Sequence, residues 1–130
     1  MSAKEIITKF FELDFVKDED ILSYFHDDCQ VHWSNSKGFI QHSKSDIENL
    51  LNELKRNYHS YQAETFQILE DNNTVTVRYT IYVTPIERPE KEDALADFIS
   101  IYEIKDQKIY RCYQISNLVD NNNVGRIEKQ

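Results

Sequence analysis

The chain has little of several things, and each shortage closes off a class of function. Its two glycines, Gly38 and Gly125, leave no Gly-rich loop of the kind that cradles a nucleotide phosphate. The two cysteines, Cys29 and Cys112, show neither metal-ligand spacing nor a disulfide framework. No pattern suits haem either, so no metal and no cofactor is expected. Basic residues are outnumbered, 15 Lys and Arg against 23 Asp and Glu, for a net charge of -8 and a pI near 4.9. That balance argues against nucleic acid, which is bound through Lys and Arg on phosphates, and against an anionic membrane surface. No apolar run approaches the ~18 residues of a membrane span. The opening MSAKEIITKFFELDF lacks an apolar core of signal-peptide length. A reduced cytoplasm is the expected location.

What the chain does have is 40% hydrophobic and 12% aromatic residues in a length of 130, which suits one globular domain with a core of its own. Residues 1–118 read as that domain and 119–130 as a polar tail.

Ile6, Ile7, Phe10, Phe11 and Leu13 recur at helical spacing, which predicts a helix over about 3–15. Asp18 is placed to cap a second, short helix that buries Ile21, Leu22 and Phe25. A strand over 28–34 and a polar loop with Gly38 follow. Ser45 and Glu48 fit a capping box for a third helix, whose apolar positions are Ile47, Leu50, Leu51, Leu54 and Tyr58. From His59 the period falls to two. Strands are expected over 60–69, 73–84, 94–104 and 108–118, and Pro85 and Pro89 bracket a loop that cannot be central sheet. Helices followed by a meander make an α+β domain.

The segments Tyr24-Phe25-His26-Asp27-Asp28 and Cys29-Gln30-Val31-His32-Trp33, after a helix and a short helix, resemble a signature of nuclear transport factor 2-like domains, among them SnoaL-like polyketide cyclases and ketosteroid isomerases. Ile101 to Ile109 resembles the closing hairpin of that family, with Gln107 where glycine is usual. The resemblance covers about residues 3–118. It implies a cone, a curved antiparallel sheet wrapped around a long helix, with a pocket at the open end. It does not fix a function, because this fold hosts enzymes and non-enzymes alike.

Carried over by position, the ketosteroid isomerase tyrosine falls on Phe10, the base on Trp33 and the second acid on Ser100. None of the three can do that job. A slip of one residue puts His32 at the base position and Ile99 or Ile101 at the acid. His32 is therefore the candidate catalytic base. Strand alternation, however, sends His32 and Trp33 to opposite faces. His26 beside Asp27 and Asp28 reads as a solvated helix end, and His42 and His59 as flanks of the third helix. Arg78 lacks the flanking acids of limonene epoxide hydrolase-like members.

The residues expected to line a pocket are Phe10, Trp33, Tyr61, Val77, Tyr79, Phe98, Ser100, Tyr102, Cys112 and Gln114, an aromatic wall with a few polar groups. Strand 94–104 is apolar on both faces, so a second copy is expected to cover the outer one. The expected dimer face is Arg78, Tyr82, Ile99, Ile101, Tyr113 and Ile115. The main expectation is a cone that binds a small, mostly apolar molecule, with no reaction assigned. The alternatives are a cofactor-free isomerase, cyclase or dehydratase using His32 or a pocket tyrosine, and an association module with a filled cone.

Overall fold

The computed structural model describes residues 1–119. Helix α1 spans Ala3–Phe11 and buries Ala3, Ile6, Ile7, Phe10 and Phe11 along one face, with Ser2 and Glu5 closing a capping box at its start. The helix ends at Phe11 and not near residue 15, because the next segment finds better partners elsewhere. Asp14 Oδ1 accepts the backbone N–H groups of Val16, Lys17 and, from across the fold, Tyr61, and the Phe15 N–H donates to the Tyr61 carbonyl at 2.9 Å. A short acidic side chain competes here with the helical ladder and wins.

The expected second helix shrinks to one 3-10 turn, Ile21–Tyr24, which buries only Ile21. Asp18 does not cap it, since its carboxylate is taken by the Asp14 N–H at 2.7 Å. Strand β1 (Phe25–Asn35) starts earlier than expected, and the polar loop proves to be a hairpin into an unforeseen strand, β2 (Gly38–His42). Gly38 supplies the left-handed φ of +126° on entering β2, a conformation that suits glycine. Helix α2 (Lys44–Asn57) is capped by Ser43 with Asp46, not by Ser45 with Glu48, because β2 delivers Ser43 in an extended conformation.

Strands β3 (Tyr58–Asp71), β4 (Thr74–Pro85), β5 (Asp93–Lys105) and β6 (Lys108–Leu118) form the meander. The β5–β6 turn puts Asp106 and Gln107 both at positive φ, 55° and 65°, the pair of values a two-residue hairpin requires. Gln107 holds this turn by exchanging side-chain bonds with the Met1 amino group and carbonyl.

One sheet results, in the order β2-β1-β6-β5-β4-β3. It is mixed, not antiparallel throughout: β1 runs parallel to β6. The sheet curves around α1 and α2. Its inner rows meet the helices, and its outer rows carry the alternate residues. No helix among the described residues is long and apolar enough to cross a membrane. Of the expected tail, residues 120–130 lie outside the described part.

Asp14 ties the end of α1 to β3, and replacing it strands three backbone donors. Asp14→Ala should therefore lower unfolding free energy by about 2–3 kcal/mol, read as a lower urea midpoint with an unchanged slope.

Candidate functional site

Three cross-strand rows on the inner face build the site. One reads Tyr79, Phe98, Ser116; the next reads Val77, Ser100, Gln114, Trp33, Ile40; the third reads Val75, Tyr102, Cys112, Val31, His42. Such rows arise because directly paired residues point to the same face, so period two in four strands becomes a two-dimensional lattice.

Aromatic rings form one wall. Tyr79 and Phe98 stack at 5.1 Å with an interplanar angle of 6°. Phe11 of α1 lies 4.6 Å from Tyr79. On the other side, Trp33 lies 5.9 Å from Phe98 and 6.2 Å from the imidazole of His42. Threaded between these rings is a polar line. The Tyr79 and Ser100 hydroxyls meet at 2.8 Å, and Ser100 donates to Gln114 Oε1 at 3.3 Å. Cys112 Sγ reaches the same oxygen at 3.5 Å, and Trp33 Nε1–H donates to Ser116 Oγ at 2.8 Å.

Burial pushes the Tyr79 and Tyr102 phenols and the Cys112 thiol well above their ordinary values, and does the same to Tyr61. These groups stay protonated at neutral pH. Kept protonated, they can offer hydrogen bonds and cannot readily take up protons.

The deep part of the cone is filled: Ile7, Val75, Val77, Ser100, Ile109 and Cys112 are fully buried. The apolar stripe of α2 is less fully covered. Of its inward stripe only Ile47 is buried, while Leu50, Leu51 and Leu54 are half-buried. Trp33, Tyr61 and Gln114 are half-buried as well, Tyr61 against Phe15 and Tyr58 and Trp33 against Phe98 and His42.

All ten residues expected to line a pocket therefore lie on the inner side, Phe10 among them through its ring contacts with Phe25 and Tyr102. Phe10, Trp33 and Ser100, the three positions carried over from ketosteroid isomerase, are gathered there without an acid or base between them. His32 is not part of this group. It sits on the outer face, stacked 5.0 Å from Tyr113 and 6.0 Å from Phe39.

Sequence alone places His42 only as a flank of the third helix. Its pairing with Val31 turns it inward, and its buried Nε2 has no hydrogen-bond partner among the described residues. The available signal was the capping box of Ser43 and Asp46, which ends the strand at His42.

The residues expected at a dimer face form a second lattice on the outer side. Ile101, Tyr113 and His32 make one row, and Arg78, Ile99, Ile115 and Ser34 the next. Ile99, Ile101, Tyr113 and Ile115 are exposed by 52%, 39%, 41% and 66%. Arg78 lies over the Phe66 ring, and Tyr82 is half-buried. His26 meets Asp106 at 3.3 Å. A separate open depression of about 460 Å³ is lined by Asp27, Asp28, Gln41, Asp46 and Arg111, among others. Two of its acids are already engaged, Asp27 with Lys44 and Asp46 with Ser43.

The raised phenol and thiol values carry a sign. Stability from these groups is complete below their unfolded values, about 8.5 for cysteine and about 10 for tyrosine, and is lost as pH rises past them. Urea midpoints should stay level to about pH 8 and fall between about pH 9 and 11, and Tyr79→Phe should flatten that fall.

No curated protein matches the sequence. Among solved structures, a candidate polyketide cyclase, IdmH of Streptomyces antibioticus, is 13% identical over 89% of this chain and 92% of its own, with a TM-score of 0.70. A candidate hydroxylase, AclR of Streptomyces galilaeus, is 14% identical over 98% of this chain and 87% of its own, at 0.71. An LEH-like epoxide hydrolase of M. tuberculosis is 15% identical over 88% and 81%, at 0.65. These likenesses are of fold, and the three carry different chemistries on it. The SnoaL-like domain family matches residues 9–112, most of the chain, and the inner and outer rows described above are this chain's version of that fold: it belongs to the SnoaL-like domain family.

Proposed function

We propose that the inner face near α2 binds a small, mostly apolar molecule. The observation that carries this reading is a dry line of protonated hydroxyls, thiol and amide, walled by rings, beside an apolar helix stripe that the fold leaves half-covered. A pocket of that make-up is apolar over most of its area and specific through a few polar groups. Trp33, Tyr79 and Phe98 would supply the walls, and Ser100 and Gln114 the hydrogen bonds. The buried tyrosines favour stabilising a bound carbonyl or enol oxygen over removing a proton. A cofactor-free isomerase, cyclase or dehydratase would therefore need its base from elsewhere on this side of the sheet.

The outer lattice supports self-association. Ile99, Ile101, Tyr113 and Ile115 form a contiguous apolar block across two central strands, and an isologous contact with a second copy would cover it.

Two measurements test these readings. Native mass spectrometry of the freshly purified protein should show a releasable species on the order of a few hundred daltons. Trp33 is the sole tryptophan, so restoring that species should change the intrinsic emission. A protein that carries nothing, and whose emission ignores every apolar compound offered, would count against the site. Ile101→Lys should shift the eluted mass from two chains to one, whereas continued elution as a dimer would refute the outer-face contact.

A further inference from the structure

We infer that His42 Nε2 is a further polar contact of the bound molecule, beside Ser100 and Gln114, and that the molecule is a flat apolar ring system bearing a hydroxyl. This rests on the binding reading above and specifies its chemistry.

Ser43 caps α2 with Asp46, so the strand must end one residue earlier, at His42. Pairing of His42 with Val31, a buried residue, fixes the imidazole on the inner side. It extends the row of Tyr102, Cys112 and Val31 to the edge of the sheet. The ring stands 6.2 Å from Trp33, tilted at 45°, and that indole leans in turn on Phe98.

Every other polar atom named in the interior line is matched. Tyr79 has Ser100, Ser100 and Cys112 share Gln114, and Trp33 has Ser116. His42 Nε2 is buried and has no partner among the described residues. A buried nitrogen without a hydrogen bond is disfavoured and native folds keep few such atoms; among the described residues Asp14 Oδ2 is the other, but it lies beside the end of α1 and not on the inner rows. In a neutral imidazole one nitrogen donates and the other accepts, and which is which depends on the tautomer. A hydroxyl can donate and accept, so it satisfies Nε2 in either form. The surroundings set the rest of the ligand: Trp33, tilted over the imidazole, and Phe98 behind it offer flat apolar faces.

The test compares 2-naphthol with naphthalene, which share a shape and differ by one hydroxyl. Binding is followed by Trp33 emission where the spectra allow it and by equilibrium dialysis throughout. Wild type should hold 2-naphthol about tenfold tighter than naphthalene, the size of one well-made hydrogen bond. His42→Phe, which keeps a flat ring, should bring the two compounds to equal affinity, and His42→Gln should retain part of the preference. In ¹⁵N spectra of the histidine rings, 2-naphthol should move the signal that His42→Gln removes, and naphthalene should not. If both compounds bind equally to wild type, or if the preference survives in His42→Phe and His42→Gln alike, the role of His42 is overturned while the site stands. If neither binds, both readings fall. Thermal melts of each variant establish that the comparison is made on folded protein.

Discussion

Tyr79 sets the terms for the interior. Its ring is pinned between Phe98 and Phe11, so its hydroxyl cannot reach solvent and must be answered from within. Ser100 answers it, and Ser100 in turn leans on Gln114, which also receives Cys112. One buried phenol thus dictates small and amide-bearing residues on two neighbouring strands, where large aliphatic ones would otherwise pack well. The arrangement gives the domain a polar seam that cannot slide. Moving any of β4, β5 or β6 by one residue would break the seam; a slip of β5 or β6 would also turn outer isoleucines inward, and a slip of β4 would bring in Arg78.

The two faces of the sheet divide the chemistry. Inward lie groups that burial keeps protonated, so they can offer hydrogen bonds and cannot readily take protons. Outward lie His32, stacked on Tyr113, and a block of isoleucines. A histidine on the outer face cannot act on what sits inside, whatever its neighbours in sequence suggest. The histidine that belongs to the interior is His42, two hairpin residues and half a strand further on.

The strands of the meander were legible because alternation is a local property. Val75, Val77, Tyr79, Ile81 and Val83 announce their face by spacing alone, and the inward set on β5 and β6 follows once the family resemblance fixes the register. Other features depended on what the chain meets in space. Helix α1 stops at Phe11 because Asp14 finds the Tyr61 N–H, a partner far along the sequence. Strand β2 is five residues long at a sheet edge, too short for its alternation to stand out from a polar loop. Its omission hid His42. The parallel joint of β1 with β6 left no local trace at all, since nothing within β1 names its neighbour.

That joint has a consequence for how the molecule comes into being. Within the β3–β6 meander each strand pairs with the next in sequence, through tight turns at 72–73 and 106–107 and the loop 86–92. The β1–β2 hairpin is local too, yet its seat on β6 requires residues such as Trp33 and Ser116 to meet across 83 positions of chain. Closing a loop of that span costs more entropy than any turn of the meander, and it raises the contact order of the whole fold. The joint therefore covers the two long edges that the hairpin and the meander would otherwise expose, β1 and β6, and it is what gives the single tryptophan its Ser116 partner.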